Sequence, residues 1–200
     1  MKTIHRLLAL LVAGILGTTA EAANFRTVVI DPGHGGQDLG GQWGQVYEKH
    51  LALDTATRLE ANLKKMGYKT VMTRRSDYFV TLPDRVSIGN RYKDAIFVCI
   101  HFNYTWKQQV SGLETFYYGT EGQRLAQGIQ NSLVRHTYTV DRSSKFARFY
   151  VLRNSTLPAI LVEGGFVSNE TERTRMKSAG YRESVARSIA EGIERYRRSF

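Results

Sequence analysis

Apolar and polar positions follow two alternating patterns along this chain. Short apolar runs rich in β-branched residues alternate with longer segments in which apolar residues recur every three or four positions, the spacing of one helix face. The runs that predict strands cover residues 27–30, 69–73, 95–100, 112–118, 149–152 and 158–162. The segments that predict helices cover residues 50–66, 82–92 and 121–136, a stretch after Asn169 and a final stretch after Gly180.

This alternation predicts an α/β fold of three layers, in which a largely parallel, twisted sheet carries helices on both faces. The run 95–100 is the most apolar and is expected to be a central strand that is covered on both faces. Thr81 and Asn169 are expected to cap helices, because each is followed three residues later by an acidic residue. Segment 140–148 is polar and basic, and it is predicted to be a loop.

Segment 1–22 is predicted to be a secretory signal peptide. Two basic residues precede a short apolar run over 7–17, and Ala20-Glu21-Ala22 fits a small-residue cleavage site. The run is too short to span a bilayer, and no later stretch is apolar enough to do so. Residues 23–200 are therefore expected to form one exported domain; an uncleaved amphipathic anchor is the alternative.

The charge of the chain narrows the class of partner. The formal net charge is +10, and an exported protein this basic is attracted to anionic polymers. The lysines and arginines are scattered and no nucleic-acid-binding motif is present, which favours an acidic cell-wall polymer over nucleic acid. The single cysteine, Cys99, excludes an intramolecular disulfide. It lies inside an apolar run, where a buried thiol is expected rather than a nucleophile.

Three of the predicted strands end in residues that can carry out chemistry. The first leads into a glycine-rich loop that carries His34, the central one ends at His101, and the last ends at Glu163. The carboxyl ends of parallel strands meet at one edge of a sheet, which is where the sites of α/β folds form. Glu48 enters the same edge, because it precedes the helix that starts where the first strand finished. The four side chains are therefore expected to converge.

Two histidines and two carboxylates match the needs of metal-assisted hydrolysis. Two histidines and one carboxylate are a ligand set of catalytic zinc, with the fourth position left for water or substrate. Zinc polarises a carbonyl and lowers the pKa of water, and a second carboxylate can serve as general base and then proton donor. The residues are far apart in sequence, so no local ligand motif of the HExxH type accompanies them.

Six ordered blocks carry a resemblance to a known family. They are Ile30-Asp31-Pro32-Gly33-His34-Gly35-Gly36, Tyr47-Glu48-Lys49, Thr73-Arg74 with Asp77, Leu82 to Arg85, Ile100-His101-Phe102-Asn103, and Leu161-Val162-Glu163-Gly164-Gly165-Phe166-Val167-Ser168-Asn169. Through these blocks the chain resembles the zinc-dependent N-acetylmuramoyl-L-alanine amidases, the family typified by the bacterial cell-separation amidases. The resemblance extends from residue 27 to about residue 196.

The resemblance implies a phosphorylase/hydrolase-like α/β fold with one Zn²⁺ per chain. It implies that His34, Glu48 and His101 bind the zinc and that Glu163 is the catalytic carboxylate. The implied reaction is hydrolysis of the amide between N-acetylmuramic acid and L-alanine of the peptidoglycan stem peptide, in wall remodelling, daughter-cell separation or turnover. The protein is expected in the periplasm or the extracellular wall, as a monomer whose partner is peptidoglycan, with no nucleic acid and no integral membrane segment after signal cleavage.

The chain departs from the family pattern at three places. Cys99 stands where the family usually has Ser, a change that should matter little on a buried strand. Phe102 stands where the family usually has Ala, and it is expected to narrow or reshape the substrate groove. Segment 140–158 looks too short to hold the inhibitory helix of the larger family members. The site is therefore expected to be open, with no activator protein required.

Four further residues are candidates for contact with substrate or for support of the ligands. Asn103 follows a predicted ligand by two residues, and Glu114 lies on a strand that borders the same edge. Arg74 and Arg85 are able to grip an anionic stem peptide. Internal salt bridges are the alternative for the two arginines, and an exposed strand carboxylate is the alternative for Glu114.

Two other functions fit parts of the same pattern. One is a zinc exopeptidase or deacylase on a similar α/β scaffold, and the other is a wall-binding module that has lost catalysis. The presence of all four predicted site residues argues against a pure binding module, which would not need the complete set.

Overall fold

The computed structural model describes residues 25–199. The predicted signal segment and the first residues of the predicted domain lie outside this range. The strands are β1 (Thr27–Pro32), β2 (Gln42–Trp43), β3 (Val46–Tyr47), β4 (Lys69–Met72), β5 (Ala95–Asn103), β6 (Leu113–Tyr117), β7 (Asp141–Phe146) and β8 (Ala159–Phe166). The helices are α1 (Glu48–Lys65), α2 (Leu82–Asn90), α3 (Thr120–Thr137), α4 (Tyr150–Arg153), α5 (Glu170–Lys177) and α6 (Ala179–Arg198).

Six strands form one mixed sheet in the order β4-β1-β5-β8-β6-β7. The first four strands in this order run parallel, β6 is antiparallel to β8, and β7 is parallel to β6. The remaining two strands, β2 and β3, form a short antiparallel hairpin just before α1. The predicted α/β class and the largely parallel sheet are confirmed, and β1, β5 and β8 send their carboxyl ends to the same edge.

Helices cover both faces of the sheet, which confirms the predicted layers. Helices α1, α3 and α6 pack with one face into the larger core, and α2 and α4 pack against the other face in a smaller core. Strand β5 contributes to both, because successive side chains of a strand point to opposite faces. Val98 and Ile100 lie in the larger core, and Phe97 and Cys99 lie in the smaller one. The prediction of a doubly covered central strand is therefore correct.

The predicted helix caps are present. Thr81 Oγ1 accepts from the backbone N–H of Asp84 at 3.2 Å, and Asn169 Oδ1 accepts from the N–H of Glu172 at 3.1 Å. The Glu172 carboxylate, however, accepts from the N–H groups of Gly112 and Phe166 at 2.8 and 2.7 Å. Glu172 is thus used to hold the loops beside α5, and the N-terminal cap of α5 rests on the side chain of Asn169.

Two of the predicted local structures are wrong. Part of segment 140–148, predicted as a loop, forms the edge strand β7, whose sequence is polar and carries no apolar alternation. Part of segment 149–152, predicted as a strand, forms the single turn α4, which buries Val151 and Leu152. An edge strand and a one-turn helix each bury few side chains. Their sequences therefore lack the regular spacing of apolar residues from which strands and helices are predicted. Within residues 25–199, no helix combines the length and the apolar character needed to cross a membrane.

Hydrogen bonds to Glu60 of α1 from β4 and the segment after it make part of the free energy of unfolding depend on pH. Arg75 donates to both carboxylate oxygens of Glu60 at 2.8 Å, and Thr70 donates to the same group at 2.9 Å. The Arg75 hydrogen bond is the largest cause that lowers the pKa of Glu60, to about 2. Because the folded-state pKa lies below the unfolded value, the ionised pair stabilises the fold above about pH 4.3. This stabilisation is lost as the pH falls toward 2.

We therefore expect Glu60→Gln to lower the free energy of unfolding at pH 7 by about 1 kcal/mol, the scale of a solvent-screened ion pair. The difference from the unsubstituted chain should shrink as the pH falls through 4 toward 2. Urea denaturation in the presence of a chelator measures it, with Asp94→Asn as an exposed charge-matched control. A difference that stays constant with pH would contradict the proposed origin.

Candidate metal centre

The loop after β1 adopts an unusual backbone conformation at its histidine. His34 has φ of 59°, in the left-handed region, which costs a residue with a side chain roughly 1–3 kcal/mol. Gly35 and Asp38 exchange backbone hydrogen bonds at 2.9 and 3.1 Å across the turn. The N–H of Gly33 donates to the carbonyl of Ile100 at 2.9 Å, which attaches the start of the loop to β5. The surrounding contacts therefore have to hold the loop in this shape.

Arg74 provides one of these contacts from beneath the loop. Its side chain is fully buried, and its guanidinium donates to the carbonyls of Pro32 and Gly33 at 3.1 and 2.7 Å. It also donates to the carbonyl of Lys49 at 2.9 Å, which links the loop to the first turn of α1. Burial lowers the pKa of Arg74 below its ordinary value, and the neighbouring Arg85 charge lowers it further. A direct grip on substrate by Arg74 is excluded by this burial.

Arg85 holds the same loop from α2. Its Nη1 forms a buried ion pair with Asp31 Oδ1 at 2.7 Å, and its Nη2 donates to the carbonyl of His34 at 2.7 Å. Asp31 also accepts from Thr73 Oγ1 and from the thiol of Cys99. The internal salt bridge, which was the alternative to substrate contact, is therefore present. The Cys99 thiol fills a structural role here, and burial together with the Asp31 charge raises its pKa.

His34, Glu48 and His101 converge at the carboxyl edge of the sheet. One ligand atom from each lies within 4.8 Å of the other two. Glu48 is the first residue of α1 and is buried, and its Oε1 lies 3.1 Å from His34 Nε2 and 2.8 Å from His101 Nδ1. Backbone N–H groups of Phe102 and Gly41 donate to the two Glu48 oxygens at 3.0 and 2.7 Å. The carboxylate is thus oriented by the main chain toward both imidazoles.

The donor set fits a metal ion. His34 Nδ1 lies 2.9 Å from Asp38 Oδ2, and because a carboxylate only accepts, the ring proton of neutral His34 belongs on Nδ1. The Nε2 lone pair of that tautomer then faces the Glu48 oxygen, so two acceptors point at each other. A cation resolves this conflict, since a neutral imidazole nitrogen and a carboxylate oxygen are both metal ligands. Without a metal ion, a proton on His34 takes the place of the cation: burial lowers the pKa of His34, but the contacts with Glu48 and Asp38 outweigh it and raise that pKa. Burial likewise opposes ionisation of Glu48, but the hydrogen bonds from His101 and His34 outweigh it and lower the Glu48 pKa.

Two glycines provide the space for this group. A Cβ at Gly33 would lie 2.3–2.6 Å from the ring atoms of His101. A Cβ at Gly40 would lie 2.6 Å from Glu48 Oε2 and from His34 Cδ2. The glycine-rich loop therefore lets the backbone pass directly against the candidate ligands, which a larger residue would push aside.

Glu163 lies beside the candidate ligands on β8, where it pairs in register with His101. Its Oε2 is buried and has no hydrogen-bond partner among residues 25–199. Burial, followed by the negative charges of Glu48 and Glu114, raises its pKa well above the ordinary value. All four predicted residues line one cavity of about 550 Å³. The structure therefore brings together the four residues that were expected to converge from three strand ends and one helix start.

Asn103 and Glu114 form a supporting pair at the same edge. Asn103 Nδ2 donates to Glu114 Oε1 at 2.7 Å, and Asn103 itself lines the cavity. Glu114 is buried and accepts from Arg142 and Lys145 of β7. The alternative of an exposed strand carboxylate is therefore wrong for Glu114. Its contacts place it behind Asn103 and next to Glu163, with which it pairs across the antiparallel strands.

Phe102 lies between the core and the cavity. Its side chain is fully buried in the larger core, and a Cβ added at Gly164 would lie 2.8–3.2 Å from its ring. Phe102 also belongs to the lining of the cavity, so the expectation that it narrows or reshapes the substrate groove stays a prediction. The exposed aromatic residues around the cavity are Phe79, Tyr104, Phe149 and Tyr150.

The sequence reasoning missed several residues that hold the site. Asp38 contacts His34, and the pattern of an aspartate four residues after a loop histidine is the signal that was available. Lys49 Nζ donates to the carbonyl of Gly36 at 2.8 Å and to Asp77 Oδ2 at 2.7 Å. Asp77 in turn accepts from the N–H of Gly36 at 2.8 Å. In the sequence, Lys49 and Asp77 stand out only as parts of the family blocks, since their contacts join segments that are distant in sequence.

Comparison with known proteins gives consistent matches over the described domain. The family model described as N-acetylmuramoyl-L-alanine amidase matches residues 28–195. The N-acetylmuramoyl-L-alanine amidase LytC of Bacillus subtilis is 36% identical over 176 residues, which are 86% of this chain and 36% of LytC. The germination-specific amidase of the same organism is 34% identical, over 86% of this chain and 79% of its own.

A solved structure has the same fold. The N-acetylmuramoyl-L-alanine amidase from Clostridium difficile 630 superposes with a TM-score of 0.82 at 35% identity, covering 86% of this chain and 97% of the other. The match to LytC covers about a third of that longer protein.

The contact between Gly33 and His101 leads to a testable prediction. We expect Gly33→Ala to displace the His101 ring and to lower the free energy of unfolding by about 1–3 kcal/mol, the scale of overpacking in a closed site. Thermal unfolding and the histidine side-chain NMR signals measure the two effects. Gly180→Ala is the control, because a Cβ there meets only Ser178 Oγ at 3.5 Å. Unchanged His101 signals in Gly33→Ala would contradict the assigned packing.

Proposed function

The chain belongs to the N-acetylmuramoyl-L-alanine amidase family, and we propose that it is a zinc hydrolase of peptidoglycan. The proposed reaction cleaves the amide that joins the lactyl group of N-acetylmuramic acid to L-alanine of the stem peptide. The observation that carries the proposal is the convergence of His34, Glu48 and His101 beside Glu163 in one cavity. Two histidines, one ligand carboxylate and one further carboxylate are what metal-assisted amide hydrolysis requires.

The proposed metal ligands are His34 Nε2, His101 Nδ1 and a carboxylate oxygen of Glu48. A bound Zn²⁺ supplies a Lewis acid that polarises the scissile carbonyl and lowers the pKa of water to about 7. The hydrogen bonds from the main chain to Glu48 and from His34 to Asp38 hold two of these ligands in place before any ion binds. This order in the ligands supports a metal-binding rather than a purely structural role.

Glu163 is the proposed proton carrier. Its Oε2 has no partner among the described residues. A cation held by the neighbouring ligands would offset the Glu48 charge and favour ionised Glu163, which can accept a proton from the attacking water as the new C–O bond forms. When the C–N bond breaks, Glu163 returns that proton to the leaving amine of L-alanine, and the lactyl carbonyl carbon becomes a carboxylate. Glu114 of β6 stands beside Glu163 and accepts from Asn103 of β5, and Arg142 and Lys145 of β7 balance its charge.

The rim of the cavity suits a large amphipathic substrate. Exposed aromatic side chains border the candidate metal centre on two sides, from the segment before α2 and from the start of α4. Aromatic faces are suited to covering the apolar faces of sugars and short side chains. The net charge of +10 adds a general attraction to an anionic wall polymer. Peptidoglycan is therefore the proposed partner.

We further propose that segment 1–22 is removed on export and that residues 23–200 act in the periplasm or the extracellular wall. The domain is proposed to act as a monomer and without an activator. In support of an open site, segment 140–158 is occupied mainly by β7 and α4. Digestion of purified sacculi by the isolated domain tests this, because activity that appears only after another protein is added would contradict it.

Replacement of Glu163 tests the proton-transfer role. We expect Glu163→Gln to lower kcat by about 10²–10⁴-fold, the usual contribution of a general acid–base group, and to leave zinc content unchanged. The assay follows release of new L-alanine amino termini from sacculi by mass spectrometry. Asp94→Asn serves as the charge-matched control. Full residual activity in Glu163→Gln would remove Glu163 from the mechanism.

Removal of the metal tests the cofactor. We expect a chelator to abolish hydrolysis and one equivalent of Zn²⁺ per chain to restore it, with metal content determined by mass spectrometry. His101→Ala should reduce both the stoichiometry and the restoration. Products with unshortened stem peptides would distinguish the amidase from an exopeptidase, which releases single amino acids. Full activity in protein from which all metal has been removed would contradict the proposal.

A further inference from the structure

We propose that Asp38 is a positioning residue that holds His34 in the one tautomer able to bind a cation through Nε2. This inference rests on the proposed metal function of His34. The carboxylate of Asp38 lies 2.9 Å from His34 Nδ1, on the side of the ring that faces away from Glu48. Histidine ligands are commonly oriented by such a hydrogen bond from their other nitrogen.

The position of Asp38 is fixed by contacts independent of the imidazole. Its backbone N–H and C=O exchange hydrogen bonds with Gly35 at 3.1 and 2.9 Å. Its second carboxylate oxygen, Oδ1, accepts from the N–H of Gly40 at 3.2 Å. The two oxygens of Asp38 therefore serve different partners: Oδ1 closes the loop and Oδ2 holds the imidazole.

The chemistry of a carboxylate decides the tautomer. Because ionised Asp38 has no hydrogen to donate, Oδ2 pairs only with a protonated Nδ1. A neutral His34 held in this way presents the Nε2 lone pair to the cavity, 3.1 Å from Glu48 Oε1. An amide at position 38 can instead turn its NH₂ toward Nδ1 while its oxygen still accepts from Gly40. That arrangement favours the tautomer protonated at Nε2, which cannot bind a metal there.

The strained backbone at His34 is held by contacts that do not reach the imidazole ring, so the ring needs a partner of its own. His34 is one of three non-glycine residues with positive φ within 25–199, and its carbonyl is held separately by Arg85. The backbone contacts fix the position of the His34 backbone. The orientation and the protonation of the imidazole are decided by the side chains that contact the ring. Asp38 is the partner on Nδ1 and Glu48 is the partner on Nε2. Because Glu48 Oε1 already accepts from the N–H of Phe102, the ring proton of neutral His34 is assigned to the Asp38 side.

Two variants separate this role from a purely structural one. Asp38→Ala removes both side-chain contacts, whereas Asp38→Asn keeps an acceptor for Gly40 and changes only the group that faces His34. Zinc affinity is measured by competition with a chromogenic chelator, and the tautomer of His34 is read from ¹⁵N–¹H NMR couplings of the metal-free protein at pH 9. Asp94→Asn, an exposed change of the same charge, is the control.

We expect Asp38→Asn to weaken zinc binding by about 10–100-fold, the usual effect of removing such a partner, and at least as much as Asp38→Ala. The NMR spectrum of Asp38→Asn should show the His34 proton moved from Nδ1 to Nε2. Asp94→Asn should bind like the unsubstituted chain. Normal zinc affinity in Asp38→Asn, with weak binding in Asp38→Ala, would mean that Asp38 only braces the loop, and the inference would be wrong.

The tautomer measurement also separates this inference from the proposed function. If the unsubstituted chain bound no zinc, the metal function would fail. The position of the His34 proton in the metal-free protein would still test whether Asp38 selects the tautomer. If the unsubstituted chain bound zinc and the proton stayed on Nδ1 in Asp38→Asn, only the inference about Asp38 would fail.

Discussion

The buried ion pair between Asp31 and Arg85 is the constraint on which the rest of the site depends. It lies under the loop after β1, and Arg85 continues from it to the carbonyl of His34. Breaking one partner of such a pair typically costs about 3–5 kcal/mol, because the other charge is left buried and uncompensated. That cost, together with the carbonyl contacts of Arg74, keeps His34 in a left-handed conformation that it would not adopt alone. The candidate ligand is therefore positioned by charges that lie under its loop: Asp31 and Arg85 reach the wall of the cavity, and Arg74 does not.

The three carboxylates of the candidate site differ in how far their negative charge is balanced by neighbouring groups. Glu48 faces two histidines and two backbone N–H groups, and Glu114 faces Arg142 and Lys145. Glu163 pairs in register with His101 of β5 on one side and with Glu114 of β6 on the other, and it has no cationic partner among the described contacts. Its raised pKa follows first from burial and then from these two neighbouring charges. Glu163 is thus the carboxylate of this group whose charge no neighbouring cation balances.

The edge strand β7 shows how the periphery supports this centre. Its polar sequence carries the two cations that balance Glu114, and the strand is attached to the sheet only through β6. A lightly covered strand of this kind needs little apolar content, since one edge and much of its surface face water. The same property that allows β7 to supply charge to the site also hides it from a search for hydrophobic periodicity. The low apolar content that lets β7 carry these charges is therefore also the reason why hydrophobic periodicity does not predict the strand.

Apart from β7 and α4, the sequence by itself determined the main alternation of strands and helices, the central position of β5, and the convergence of four residues from the strand ends and the helix start. These follow from local patterns, because burial imposes periods and parallel strands end together. Only the tertiary structure decided that Arg74 and Arg85 lie under the loop, that Phe102 packs into the core, and that Asp38 and Glu114 stand behind site residues. Those assignments depend on contacts between segments that are distant in sequence. The direction and burial of a single side chain in such a contact produce no repeating pattern along the chain, so they cannot be predicted from periodicity.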